Sequence, residues 1–277
     1  MGIYTVNGDV ISITTSDEAY YESIAKEKLN DKIIISLGDS YTYAMKDNYD
    51  SLAQKYRMLH DGRGIVSSSI STSTTAPMCT RVDTIASEYA SGCTYGGKTY
   101  YRDDVAVIAF MGGANDGPGI PNGIGTGIHE TDTSLIYGAM NKILSVLQEN
   151  FTKAIIMCIL QPSNYVFTQE RIDEWVVSDE VAQRLGFDSL AEAQVMSPVQ
   201  ISNYCMGNKE KAVETAAWHY EVPILDMFHG FPSVLNPSNR SKYWQNDRLH
   251  LTSDGYGFLI NEIEKCMVRL VAESYEG

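Results

Sequence analysis

Ser40 lies near the front of the chain, while Asp247 and His250 stand three positions apart near its end. A serine to attack, a histidine to take and return its proton, and a carboxylate to hold the imidazole in one tautomer are the parts of nucleophilic acyl transfer from an ester. Residue types alone are weak grounds, because a chain of 277 residues contains many of each. Their weight depends on the elements that deliver them. Asn115 and Asp226 enter for the same reason as Ser40, since each stands at or just beyond the end of an apolar run.

Lys32–Leu37 (KIIISL) is such a run, and it ends abruptly in Gly38-Asp39-Ser40. Val105–Met111 (VAVIAFM) ends in Gly112-Gly113-Ala114-Asn115-Asp116, Ala154–Leu160 (AIIMCIL) ends in Gln161-Pro162-Ser163, and Val222–Met227 holds a shorter run that closes near Asp226. A further strand is expected near Gly62–Val66. Between the runs lie helical periodicities: Ile136, Met140, Ile143 and Leu147 share one face, and Leu259, Ile263, Cys266, Met267 and Leu270 another, with Thr252 as a candidate N-cap. Apolar strands without alternation, separated by amphipathic helices, predict a parallel sheet covered on both faces. The expected fold is therefore a three-layer α/β/α sandwich with a central, mostly parallel sheet. Ligands bind outside the carboxyl ends of the strands in such sheets, so Ser40, Asn115 and Asp226 should share one rim. The loop NDRLHLTSDGYG can bring Asp247 and His250 to it.

Residues 3–6 and 9–13 carry β formers around Asn7-Gly8, a pair suited to a two-residue hairpin turn, and a helical segment from about Asp17 to Leu29 follows. These first thirty residues read as an appendage to a domain spanning 31–277. The stretch 67–75, SSSISTSTT, reads equally as a solvated loop or as a substrate-facing one. Residues 111–129 hold seven glycines but no GxGxxG at a helix start and no GxxxxGK[ST], which removes nucleotide-binding readings.

Composition narrows the classes further. Hydrophobic residues make up 44% of the chain and charged residues 20%, which is globular and not disordered. Against 35 Asp and Glu there are 21 Lys and Arg, and the net charge of −14 with no dense basic run argues against nucleic acid. Five cysteines, odd in number and widely spaced, suggest neither a disulfide framework nor a thiolate metal site. No apolar stretch is long enough to span a bilayer and no export signal is evident, which leaves a cytoplasmic protein and a part of a secreted or viral assembly both open.

Three blocks taken together, Gly38-Asp39-Ser40, Gly113-Ala114-Asn115-Asp116 and Asp247-Arg248-Leu249-His250, resemble in order the sequence blocks of the SGNH hydrolases, the GDSL esterase/lipase family. The resemblance runs from about residue 32 to 272. It implies a flavodoxin-like SGNH fold with Ser40 as nucleophile, His250 as general base and then acid, Asp247 orienting His250, and Asn115 donating to the oxyanion. The family's second block ends in a glycine whose N–H is a further oxyanion donor. Gly64-Ile65-Val66-Ser67 matches the approach to it, with Ser67 in the glycine's place, and Tyr41 follows Ser40 where the family has leucine.

The expected activity is hydrolysis of carboxylic esters through an acyl-enzyme, without cofactor or metal, on a small ester such as an acetylated carbohydrate. The alternatives are a lipase, lysophospholipase or thioesterase acting on longer acyl chains, and a non-catalytic carbohydrate-binding or structural module. His60, His129, His219 and His229 are expected in surface or supporting roles, although His219, Asp226 and His229 are the nearest thing to a metal cluster. Tyr41, Tyr43, Met78, Tyr165, Phe228 and Phe231 could line a cleft, with Tyr243-Trp244 the best choice for a substrate wall.

Overall fold

Strand β3 (Ile33–Gly38) is buried along its whole length, and its side chains divide between two cores: Ile33, Ile35 and Leu37 enter one, and Ile34 the other. A strand that must be apolar on both faces cannot alternate with polar residues, which is why the run reads as continuous. This computed structural model describes all residues except 1–3, 7–8, 12–14, 73, 117–122, 163–172, 174–176, 185–186, 233–235, 248 and 275–277, and only the backbone of 4–6, 9–11, 15–17, 184, 198–199 and 203–205.

The remaining strands are β1 (Tyr4–Val6), β2 (Asp9–Ile11), β4 (Leu59–Gly64), the β5 (Cys93–Tyr95) and β6 (Lys98–Tyr100) hairpin, β7 (Val105–Met111), β8 (Ile155–Leu160) and β9 (Ile224–Asp226). The main sheet runs β2-β1-β9-β8-β7-β3-β4, with β9, β8, β7, β3 and β4 parallel. The chain steps outward from β3 to β4, then returns to the other side of β3 as β7 and continues through β8 to β9. The walk thus reverses between β3 and β7, the point at which open α/β sheets form a crevice.

On one face lie α4 (Met78–Ser91), α5 (Ile136–Asn150) and the Pro198–His219 helix, which contribute Met78, Val82, Ile143, Leu147, Val213 and Ala217 to the core. The other face is covered by α2 (Ser40–Ala44), α3 (Lys46–Lys55) and the C-terminal helix Ser253–Glu273, with Tyr49, Leu52, Leu259, Ile263 and Met267 inside. Two sheet faces and two helical layers make the α/β/α sandwich. Thr252 caps the C-terminal helix, its hydroxyl accepting the Gly255 N–H at 3.2 Å. Among the described residues no helix is long and apolar enough to cross a membrane.

The first thirty residues extend this sheet. β1 pairs antiparallel with β9, setting Tyr4 beside Leu225, and β2 pairs with β1; the Asn7-Gly8 turn lies outside the described residues. The helix α1 (Thr15–Lys28) is tied in by Lys55, which meets Glu22 at 3.2 Å and Glu264 of the C-terminal helix at 2.5 Å.

Two expectations need correction. The strand expected near Gly62–Val66 begins at Leu59, because this edge strand, LHDGRG, carries polar residues whose partners come from elsewhere in the fold. The serine-rich stretch is a solvated loop only in part, at Ser67, Thr72 and Thr75. Ser68, Ser69 and Ser71 are buried, the Ser68 hydroxyl donating to the Ala76 carbonyl at 2.6 Å and that of Ser69 to the Ser71 carbonyl at 2.6 Å, so hydroxyls replace water inside a folded turn.

Candidate active site

The carboxyl end of β3 delivers Gly38, Asp39 and Ser40 in one sharp turn. A Cβ at Gly38 would fall on the Thr42 hydroxyl and the Met111 carbonyl, so only glycine lets α2 start this close to β7. Asp39 caps α2, its Oδ1 accepting the Tyr41 N–H at 3.0 Å. Ser40 is the first helical residue, and its own N–H belongs to the turn where a helix supplies no internal acceptor.

Ser40 Oγ lies 3.2 Å from His250 Nε2, and His250 Nδ1 lies 2.7 Å from Asp247 Oδ2. The other Asp247 oxygen accepts the backbone N–H groups of Leu249 and His250, both at 3.0 Å. A three-residue turn therefore holds acid and imidazole together before either meets the serine. Partial burial pushes the Asp247 carboxyl up, but the hydrogen bonds from His250 and Leu249 outweigh it and keep the group below its ordinary value.

Asn115, at the carboxyl end of β7, donates from Nδ2 to the Ser68 carbonyl at 2.7 Å and, in a longer bond, to that of Val66 at 3.3 Å. Ser67 stands exposed between those two acceptors, so Asn115 and the loop after β4 meet as one unit. Asp116 completes the connection from below: Oδ2 accepts the Ile70 N–H at 2.5 Å, and Oδ1 accepts the Ser71 N–H at 3.0 Å and hydroxyl at 2.7 Å. All five expected site residues thus fall on the rim at the β3/β7 reversal. Asp226 is on the rim as well, but it binds His229 instead, with Nδ1 to Oδ2 at 2.8 Å.

Several supporting residues carried no local signal. Tyr41 is fully buried, and its hydroxyl points to the carbonyls of Leu249 and Pro162, the latter at 3.0 Å, so the residue after the serine braces the segment that carries His250. Gln161, just beyond β8, donates to both Asp39 oxygens at 3.1 and 3.2 Å, and Ala114 N–H adds a third donor at 3.2 Å. Burial nevertheless lifts the Asp39 carboxyl to about 6. Arg81 of α4 donates to the Gly38 carbonyl at 3.2 Å and to Ser68 Oγ at 2.9 Å, clamping the first two loops together.

The fold contains a second serine–histidine–aspartate chain with tighter geometry. Ser36 Oγ is 2.7 Å from His60 Nε2, and His60 Nδ1 is 2.6 Å from Asp50 Oδ1. Ser36 is 0% exposed in the middle of β3, so no substrate carbonyl can reach it, whereas Ser40 keeps 8% at the rim. His60 is correspondingly a buried histidine and not a surface one; burial lowers its pKa against the opposing pull of Asp50. The chain pins β3, β4 and α3 together.

Most of the expected cleft aromatics belong to the core. Trp244 is buried, its Nε1–H donating to the Pro232 carbonyl at 3.0 Å and its ring packed edge-on against Phe231; Tyr243 packs on Phe231 and Phe258. The pair is therefore a brace beneath the Asp247–His250 loop and not a substrate wall. Tyr41 and Met78 are buried too, Phe231 nearly so, and Tyr165 lies outside the described residues. Tyr43, at 59% exposure, remains open to solvent, joined by Ile65 and Val66. Among the described residues no group of three or more His, Cys, Asp or Glu side chains could hold a metal. The cysteines Cys79, Cys93, Cys158 and Cys266 are free thiols.

No family model matches the sequence, and no curated protein matches it. Solved structures do resemble it. A protein from Lactobacillus plantarum aligns over 89% of this chain and 98% of its own with 20% identity and a TM-score of 0.58. A peptidoglycan O-acetylesterase aligns over 99% and 98% with 10% identity and a TM-score of 0.53. A Bacteroides ovatus protein described as a GDSL-like lipase aligns over 87% and 99% with 12% identity and a TM-score of 0.50. At these identities the likeness establishes a shared fold.

Proposed function

We propose that this chain, whose α/β/α fold is that of the GDSL-like lipases and esterases, is a serine-dependent hydrolase of carboxylic esters. The observation that carries the reading is the run of contacts from Ser40 through His250 to Asp247, placed at the reversal of the sheet. Ser40 Oγ adds to the ester carbonyl while His250 Nε2 takes its proton, and Asp247 holds the resulting imidazolium. Charge gathers on the carbonyl oxygen, where the Ser40 N–H, the Asn115 amide and the Ser67 N–H are the donors. Asn115 holds the Ser68 carbonyl at 2.7 Å, and its other amide hydrogen, in the longer 3.3 Å bond to Val66, is the one that oxygen would take over. The tetrahedral intermediate collapses, the C–O bond to the alcohol breaks, and the alcohol leaves with the proton from His250. Water, deprotonated by the same histidine, then adds to the acyl-enzyme and releases the acid and Ser40.

A small acyl group, with acetyl on a carbohydrate as the preferred case, is the substrate class. The fold shared with a peptidoglycan O-acetylesterase supports it, as does Tyr43, an exposed ring three residues after the nucleophile, suited to lie against a sugar. A longer acyl chain is the second reading, favoured by the apolar lip of Ile65 and Val66 beside the same mouth. Acetylated sugars and p-nitrophenyl esters from acetyl to palmitoyl, turned over by the intact protein and by Ser40→Ala, separate the two. We expect acetyl esters to be preferred and Ser40→Ala to lose at least ~10³-fold in kcat. Preference for long chains would install the second reading, equal turnover by Ser40→Ala would remove Ser40 as the nucleophile, and no turnover by the intact protein would leave a non-catalytic module.

A further inference from the structure

The peptide between Gly113 and Ala114 is held from both sides. Its N–H donates to Asp39 Oδ2 at 3.2 Å, while its carbonyl accepts from the Asp116 N–H at 3.1 Å and from Lys209 Nζ at 2.7 Å. Gly113 sits at φ +121°, and the Lys209 stem lies against it so closely that an added Cβ would be 3.3 Å from Lys209 Cε. Asn115 follows two residues later, so this peptide's orientation fixes where the Asn115 amide begins. Lys209 comes from the Pro198–His219 helix, in a region with no catalytic motif, yet it is buried to within 2%.

A buried ammonium is costly unless its hydrogens and charge are met. Met206 Sδ lies at 3.6 Å and Glu210 Oε1 at 3.4 Å, and the Asp39 and Asp116 carboxylates also feel the Lys209 charge. One cation thus serves three buried carboxylates. Two of them are the groups that dock the turn after β7 to its neighbours: Asp39 joins it to the nucleophile turn, and Asp116 joins it to the loop after β4.

We propose that Lys209 is a positioning residue for the oxyanion side of the site, fixing the Gly113–Ala114 peptide and, through it, Asn115, and serving as the compensating cation among the carboxylates that dock this turn. The proposal rests on the serine-esterase reading. It differs from an ordinary buried lysine in what its removal does, because a residue that only stabilises the fold would change the melting temperature and leave the rate and its pH dependence alone.

Lys209→Met preserves the stem and removes the ammonium. With p-nitrophenyl acetate we expect kcat to fall about tenfold or more at nearly unchanged KM, since a small misplacement of a fixed donor acts on the transition state. The acid limb of kcat/KM should move toward neutral pH, because Asp39 and Asp116 lose the cation that favours their charged forms. The other groups facing Asp39 are the Gln161 amide and the Tyr41 and Tyr256 hydroxyls, with Glu210 beside Lys209. Burial lifts the Glu210 carboxyl to about 7, so it carries little charge along that limb. Lys209→Arg keeps the charge but not the compact ammonium, so it should lose rate with the limb in place. Wild-type kcat and an unmoved limb in Lys209→Met, with only a lower melting temperature, would overturn the proposal. If that variant does not fold, wild-type kcat in Lys209→Arg would do so.

Absence of ester turnover by the wild type, with no labelling of Ser40 by a fluorophosphonate, would instead refute the esterase reading. The ¹³C carboxyl titrations of Asp39 and Asp116 then judge Lys209 independently. They move to higher pH in Lys209→Met or, if the lysine is not the compensating cation, they stay and overturn the proposal.

Discussion

Asp116→Ala is the sharpest test of how the oxyanion side is assembled. Asp116 is 3% exposed, and its two oxygens accept three hydrogen bonds, from the Ile70 and Ser71 amides and from the Ser71 hydroxyl. Truncation strands two backbone donors and one hydroxyl in a site without free water access, and each buried unpaired donor costs about 1–3 kcal/mol. Three such losses would sum to roughly 3–9 kcal/mol if nothing moved. Two effects reduce that figure. Burial pushes the Asp116 carboxyl above its ordinary value, so removing the charge recovers part of a standing desolvation penalty, and the Ser71 hydroxyl can rotate to another acceptor. A net loss of about 3 kcal/mol is expected, read at neutral pH as a lower urea midpoint with an unchanged slope. The double-mutant cycle with Ser71→Ala should show a coupling of about 1 kcal/mol, because the two side chains share one bond. Turnover should fall with stability, since Asn115 is next in the chain and its amide is bonded to the loop that Asp116 docks. A loss below about 1 kcal/mol, or full turnover in the folded variant, would refute the claim that Asp116 holds the two loops together.

Three further outcomes follow from the same geometry. Asn115→Ala should lower kcat by about 10²–10³ with KM little changed, because the donor is needed where charge develops, and a change confined to KM would remove Asn115 from that role. Ser36→Ala should keep kcat within about twofold and cost about 1 kcal/mol of stability, for it loses a buried hydrogen bond far from any opening; lost turnover in a folded Ser36→Ala would mean that the wrong serine has been chosen. Asp39, lifted by burial from 3.8 to about 6, binds its proton more tightly in the folded protein, so its contribution to stability is present at low pH and is lost as pH rises through about 6. The stability of the wild type minus that of Asp39→Asn should therefore decline by about 2 kcal/mol between pH 4 and 7, and a flat or rising difference in urea titrations would contradict this assignment.

The strands of the inner sheet were legible because their burial on both faces is written as composition: IIISL, VAVIAFM and IIMCIL have no polar alternation to confuse the reading. β4 was displaced in the sequence reading because an edge strand needs no such run. Besides Arg63 of the same strand, its His60 and Asp61 are satisfied by Ser36, Asp50 and Tyr89, which come from other elements and leave no local trace. Trp244 misled for the related reason that an aromatic near a catalytic loop is equally suited to line a cleft or to brace the loop, and its neighbours Phe231 and Pro232 decide for the brace.

The pairing of Asp247 with His250 is local, since a turn of three residues lets one carboxylate accept the amides and the ring. Spacing alone, however, does not choose it. Asp226 and His229 have the same separation and make the same bonds, with the His229 amide at 3.0 Å and its ring at 2.8 Å. Asp50 and His60 form a third pair and even reach a serine. The amino-acid sequence thus determines that the two pairs three residues apart form, through bonds a short turn can close by itself. Which pair meets an accessible serine is decided by the order of the strands, because the reversal between β3 and β7 opens a crevice at the rim, and among the described residues Ser40 is the serine delivered there with His250 within reach.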